Sequence, residues 1–371
     1  MNRSGRSLWF QVHKWLGLAL LAVLIPLGLS GSLLVWHDWT DSLVNPQRYA
    51  VSAERGRLSA EDYVRSARTV LEPTARVASL ELPAAADKPI LLTAAPPPAP
   101  GAAATPGPPR RHQVWLDPAT GRVLDHADSR TGLVRALHVF HGSLIIPAVG
   151  RTIVGWLGVA MLLSSLTGIW LWRPSIGGWL RGLRWRRGPG LSDNLHHQIG
   201  IWIAVPLAIL SFTGAYISFP KFFGAIEGAF ASAPPRDAAP NRRAPPVASP
   251  ASRADAVIAA AGSAGRGQIV SLRWPVEGST DWTVSLEEAG KTAEFKVSDA
   301  DRTVARSPGP AGLARAMRQL HDGQGYNALW QTIVFLGGLA PAVLGITGVI
   351  MWLRGRHRRN AAPRSAIRSP A

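Results

Sequence analysis

The sequence predicts a membrane α-helical protein: a four-helix transmembrane bundle built from two parallel repeats, each with an α+β insert between its two spans. Three observations predict it. Four apolar stretches lack charge and are long enough to cross a bilayer. Short arginine-rich segments flank those stretches on one side only. The first half of the chain matches the second in residue type and spacing.

The four stretches cover 15–36, 152–172, 198–220 and 326–353. A hydrocarbon core of ~30 Å needs about 20 helical residues, so each suffices. Trp15, Trp36, Trp170, Trp172, Trp202, Tyr216, Trp330 and Trp352 mark their ends, as aromatic side chains do at headgroup depth. The first stretch is too long for the apolar core of a signal peptide. No small-residue cleavage site follows it at Val35-Trp36-His37-Asp38, so it reads as a retained helix.

Direction comes from the short flanking segments. Arg3, Arg6 and Lys14 precede the first span. Arg173, Arg181, Arg184, Arg186 and Arg187 lie between the second and third. Arg354, Arg356, Arg358, Arg359, Arg364 and Arg368 follow the fourth. Four spans put all three groups on one side, and basic residues mark that side as the cytoplasm. The expected organisation is repeat 1 over 1–172 (spans 15–36 and 152–172, periplasmic insert 37–150), a cytoplasmic basic loop over 173–197, repeat 2 over 198–353 (spans 198–220 and 326–353, periplasmic insert 221–325) and a cytoplasmic tail over 354–371. Both termini are expected in the cytoplasm and the protein in a bacterial inner membrane. The net charge of +17 is then a topology signal, the lipid bilayer is the first partner, and nucleic acid is not expected. With no cysteine, disulfides, iron–sulfur clusters, thiolate metal sites and covalently attached haem are excluded.

The spans repeat with equal internal spacing. His13-x-x-x-Gly17 opens the first span and His196-x-x-x-Gly200 the third; 18 residues separate His13 from Gly31 and His196 from Gly214. Thr167-Gly168 in the second span matches Thr347-Gly348 in the fourth, and 27 residues before each glycine stand His141 and His321. Within the inserts, helix-like starts at Ser59 and Ser252 correspond, as do Val77–Pro83 and Ile269–Pro275. The alternating strands of 113–124 and 294–305 correspond too, the first turning at Asp117–Gly121. The second turn reads Ser-Asp-Ala-Asp-Arg, which predicts a degraded hairpin there. Proline- and alanine-rich tracts over 94–109 and 231–250 read as mobile loops. A unit with two spans returns to its starting side, so the repeats are parallel.

This order of motifs resembles the PepSY-associated transmembrane-helix family, over about residues 8–356. The resemblance implies an iron-uptake-associated inner-membrane protein similar to ferric-siderophore reductases, with PepSY-like inserts. It implies haem b, held by His13, His141, His196 and His321 by motif position. The implied partners are a ferric-siderophore substrate and an electron donor that is either cytoplasmic or a membrane quinol. A non-enzymatic PepSY-bearing membrane regulator or uptake accessory is the alternative.

Ionisable residues in or near spans are costly and usually functional. From the residues alone, His13, His196, His141 and His321 are haem ligands, interfacial side chains bonded to headgroup or backbone, or ligands of another metal. His138, one turn before His141, is an alternate ligand. Gly31 and Gly214, five helical turns from His13 and His196, either admit a flat macrocycle or let helices pack closely. His13 and His196 open the spans that leave the cytoplasm, and His141 and His321 precede those that return. Two haems are therefore expected, an inner one held by His13 and His196 and an outer one held by His141 and His321. From His141 to Trp172 is too long for one span, so Pro147 and Gly150 are expected to break it. No catalytic side chain is assigned. Phosphate-binding loops, dinucleotide fingerprints and the H-E-x-x-H motif are absent.

Overall fold

The computed structural model describes residues 3–52, 56–85, 87–97, 109–173, 183–185, 188, 190–230, 244–288, 291–307 and 312–361. The tract segments 98–108 and 231–243, together with Arg181, Arg186, Arg187, Arg364 and Arg368, lie outside them. In chain order the first-half elements are α1 (Arg3–Val35), α2 (His37–Val44), α3 (Ala60–Arg68), β1 (Arg76–Glu81), β2 (Ile90–Ala95), β3 (His112–Leu116), β4 (Val123–Asp128), α4 (Leu133–Ser143) and α5 (Gly150–Trp172). Then come α6 (Leu191–Ser218), α7 (Pro220–Phe230), α8 (Ala254–Ala264), β5 (Gln268–Arg273), β6 (Asp281–Glu288), β7 (Lys291–Ser298), β8 (Val304–Ser307), α9 (Leu313–Asp322) and α10 (Ala328–Ala361). They form two compact units, one of Met1–Trp36, Leu137–Ala229 and Gly312–Ala371, the other of His37–Ala136 and Phe230–Ala311.

In the first unit α1, α5, α6 and α10 are each long and apolar enough to cross a membrane. α1 packs on α5 and α10, and α6 on the same two, which closes a ring of four helices. Three of these helices begin well outside, or run well past, the apolar stretches that announce them. α1 starts at Arg3 and not residue 15, α6 at Leu191 and not 198, and α10 runs on to Ala361. Hydropathy marks where lipid begins, whereas the backbone ladder continues into polar flanks for as long as each N–H finds its carbonyl. His13 and His196 therefore stand inside helices and not at their starts. Lipid offers no hydrophobic drive for helix association, so small residues set close approach. α1 and α10 show it: a Cβ on Gly28 would meet the Gly338 carbonyl oxygen, and Ser32 Oγ donates to Phe335 O at 2.7 Å.

The path from His141 to Trp172 is broken as the sequence requires. α4 stops at Ser143 and α5 starts at Gly150. Between them Leu144, Ile145 and Ala148 take φ of 52°, 61° and 61°, a left-handed conformation uncommon for residues with a Cβ. Pro147 lacks the N–H that would continue α4.

The second unit differs from two separate inserts. Its strands form one eight-stranded sheet in the order β4-β3-β2-β1-β5-β6-β7-β8, antiparallel throughout. The join pairs Ser79 with Arg273, Leu80 with Leu272 and Glu81 with Ser271. Alone, β1 and β5 would each leave an unpaired edge, and pairing them satisfies both. Residues alternate in burial along β2, with Ile90, Leu92 and Ala94 fully enclosed. Tyr63 of α3 and Val257 of α8 pack into the same core as Leu80, Leu272 and Trp282. The two helix starts cap each other: Ala60 N donates to Asp255 Oδ1 at 2.7 Å, and Ala254 N to Glu61 Oε1 at 2.9 Å. The second hairpin is intact, contrary to the expectation of a degraded turn. β7 and β8 pair over four residues, and Arg302 supplies the positive φ, 60°, that Gly121 supplies at 68° in the first.

Each hairpin also holds an aspartate that fastens the chain ahead of its helix. Asp299 accepts from Ala251 N, Ser252 N and Trp282 Nε1. Asp117 accepts from Ser52 N and Oγ and from Thr120 N and Oγ1. Burial works to raise the Asp117 pKa, but these bonds to its charged form outweigh it and hold the pKa at about 2. A depressed carboxyl pKa stabilises the fold above the unfolded value, near 3.9, and the benefit vanishes as pH falls through the folded value. The melting temperature of the wild type should exceed that of Asp117→Asn at pH 7, with the gap closing between about pH 4 and pH 2. A gap that persists unchanged at low pH would show the charge is not the source.

Candidate functional site

Within the helical unit four histidines face one another in two pairs. The rings of His13 on α1 and His196 on α6 are 6.4 Å apart between centroids, with planes at 85°. Those of His141 on α4 and His321 on α9 are 6.0 Å apart, at 45°. His138 is not in either pair; it is exposed one turn earlier on α4. His197 turns aside, its Nδ1 bonded to Asp193 O at 2.6 Å.

Every one of the four is pinned through Nδ1 to a different spanning helix. His13 Nδ1 meets Ser164 O and Thr167 Oγ1 on α5, both at 3.1 Å. His196 Nδ1 meets Thr347 Oγ1 on α10 at 3.0 Å. His141 Nδ1 meets Leu27 O at 2.9 Å and Ser30 Oγ at 3.3 Å on α1. His321 Nδ1 meets Leu210 O at 3.0 Å and Thr213 Oγ1 at 3.1 Å on α6. A carbonyl oxygen only accepts, so the proton sits on Nδ1. The hydroxyls agree, because each gives its own proton to its helix: Thr167 to Leu163 O, Thr213 to Ile209 O, Thr347 to Val343 O and Ser30 to Leu27 O, all at 2.7–2.8 Å. Each hydroxyl oxygen is left to accept from imidazole. Nε2 is thus the unprotonated nitrogen in all four rings. Burial pushes His141 and His321, which stand outside the spans, below the ordinary histidine range.

The glycines make room for these rings. A Cβ on Gly31 would lie 2.7 Å from His141 Cε1, on Gly214 3.0 Å from His321 Cε1, on Gly168 3.3 Å from His13 Cε1, and on Gly348 3.6 Å from His196 Cε1. Gly31 and Gly214 thus serve the His141–His321 pair, although the helical count aligned them with His13 and His196. Each histidine rests on a hydroxyl–glycine dipeptide: Ser30-Gly31, Thr167-Gly168, Thr213-Gly214 and Thr347-Gly348. In the sequence the Thr-Gly pairs serve only to align spans and their part as seats is hidden; four hydroxyl–glycine dipeptides inside apolar runs are the available signal. A Cβ on Gly17 would meet nothing within 4 Å, and on Gly200 only Leu344 at 3.8 Å, so space is open one turn from His13 and His196. Among the described residues no group of three or more His, Cys, Asp or Glu could hold a metal ion.

The fold and these helices define a multi-pass membrane protein whose environment is the lipid bilayer. The chain belongs to the family described as the PepSY-associated TM region, whose model matches residues 10–355. No curated protein matches the chain.

The seats give a direct test. Gly31→Val should force the His141 ring from its place and lower thermal stability in detergent by on the order of 1–3 kcal/mol, the usual cost of overpacking. Gly17→Val, facing open space, should change it little. Equal melting of both variants would show that Gly31 is not a ring seat.

Proposed function

We propose that the chain is two parallel repeats forming a haem-dependent transmembrane electron-transfer protein that reduces periplasmic ferric iron, siderophore-bound, for iron uptake. It sits in the bacterial inner membrane with both termini in the cytoplasm, on the strength of the arginine groups at 3–14, 173–187 and 354–368. The repeat reading is supported by contacts that recur between corresponding residues: Leu27 and Leu210 carbonyls, Ser30 and Thr213 hydroxyls, and Leu80 paired with its counterpart Leu272.

The observation that carries the cofactor is the two histidine pairs. Metal–imidazole nitrogen bonds are about 2.0 Å, so each pair would hold one metal centre between its two bare nitrogens only if the ring centres stood roughly 6 Å apart. The observed 6.4 Å and 6.0 Å fit. A haem would take no more than two ligands from the chain, so a cluster of three side chains is not needed. Haem b, when bound, supplies reversible one-electron iron chemistry. His13 with His196 would hold one haem and His141 with His321 the other. The Nδ1–H bonds fix the tautomer, keep Nε2 bare and raise its basicity, as outer partners of ligating histidines do. No residue is given a covalent role. The ferric acceptor rests on the family's association with iron uptake, and the donor is a cytoplasmic reductant or a membrane quinol.

Purified protein should show haem absorbance that shifts on adding dithionite. His13→Ala and His196→Ala should each lose about half the haem, with the remainder unchanged in spectrum. Full retention in both would sink the pairing, and no haem at all would sink the cofactor. Thr347→Val should keep haem but shift the midpoint potential of one site, with Thr347→Ser restoring it. Membranes carrying the protein should reduce a ferric siderophore faster than those without it. Normal haem redox with no acceleration for any ferric chelate would reassign the acceptor.

A further inference from the structure

α2 and α7 leave their spans almost without a linker. Trp36 alone separates α1 from α2, and Phe219 alone separates α6 from α7. Each short helix displays an apolar pair one turn apart: Trp39 and Leu43 on α2, 55% and 62% exposed, and Phe222 and Ile226 on α7, 62% and 40% exposed. The registers coincide, because each pair is the third and seventh residue of its helix.

The opposite faces are fastened. On α2, Thr40 and Asp41 are buried. Asp41 accepts from Arg48 Nη1 at 2.9 and 3.1 Å, from Tyr49 Oη at 3.2 Å and from Asn45 Nδ2 at 2.9 Å. Arg48 in turn donates to Asp125 on β4 at 2.7 Å and lies 4.0 Å over the Trp115 ring on β3. α2 is thereby bolted to the sheet. On α7, Phe223 packs on Tyr216 at 4.6 Å and reaches Phe212 at 6.1 Å, and the Tyr216 hydroxyl donates to Glu227. Phe212 and Tyr216 are one turn apart near the end of α6, so α7 doubles back along that span.

Single exposed apolar residues are ordinary. Two pairs at one register, each held outward by an anchor on the far face, are not scattered exposure. Their position names the occupant. Residues three to seven of a helix that starts one residue past a span lie within about 12 Å of the span's end at 1.5 Å per residue. On the spans themselves Leu29 and Leu33 of α1 and Phe212 of α6 are exposed.

We propose that α2 and α7 are membrane-surface helices whose Trp39–Leu43 and Phe222–Ile226 faces sit at the headgroup–acyl boundary of the leaflet where α1 and α6 end. The proposal stands without any cofactor. Because the chain has no cysteine, one introduced cysteine is a unique label site. Leu43→Cys, Ile226→Cys and, on the exposed β3–β4 turn, Arg122→Cys leave both anchors intact. Each carries a nitroxide in vesicles of phosphatidylethanolamine and phosphatidylglycerol. Labels at 43 and 226 should be relaxed several-fold more by oxygen, which concentrates in lipid, than by a water-soluble nickel chelate, with the reverse at 122. Nickel dominance at either 43 or 226 overturns the proposal. So does dipolar broadening between labels at either position that vanishes on dilution with unlabelled protein, which would assign the face to a second copy.

Discussion

An imidazole enclosed between helices has one N–H that must be given away and one lone pair left over. Leaving the N–H unpaired away from water costs several kcal/mol on the scale of apolar transfer. This chain gives it to a carbonyl or hydroxyl of a neighbouring span at all four sites. Much of the helical unit follows from that choice. α1 carries His13 and seats His141, α6 carries His196 and seats His321, while α5 and α10 seat the rings that α1 and α6 carry. No spanning helix can shift along its neighbour without unseating a ring.

These bonds act where little else does. Lipid tails are as apolar as leucine, so spans gain by close contact and by polar links. Glycine provides the first at Gly28 against Gly338, where two backbones nearly touch. Hydroxyl–glycine dipeptides provide both at once: the glycine admits the ring edge and the hydroxyl oxygen receives its proton. Each hydroxyl is already bonded to the carbonyl four residues back, or three for Ser30, so it cannot turn to compete as a donor.

The spans were legible because hydrophobicity over twenty residues is a strong signal, and the histidines because equal spacing in two halves is unlikely by accident. The interruption at Pro147 was legible from length alone. Helix ends were not, since the polar flank of a span looks like loop in composition, as at Leu191–Gln198. The union of β1 with β5 was hidden because the pairing joins segments nearly two hundred residues apart and has no local mark. The role of Gly31 was misread for a physical reason: helical periodicity gives the face a residue occupies, not which of two rings on that side it meets. The second hairpin looked degraded because glycine seemed required where Arg302 accepts the left-handed conformation.

The single sheet bears on how the two halves of the chain can move. Solute carriers with duplicated architecture work by rocking one half against the other around a central site. Here strands from the two halves of the chain share one hydrogen-bonded sheet, joined edge to edge at Leu80 and Leu272, and their helices cap each other's first N–H groups. Prying the halves apart would expose two strand edges and two helix starts together. Within the sheet unit, rocking of that kind is closed to the two halves.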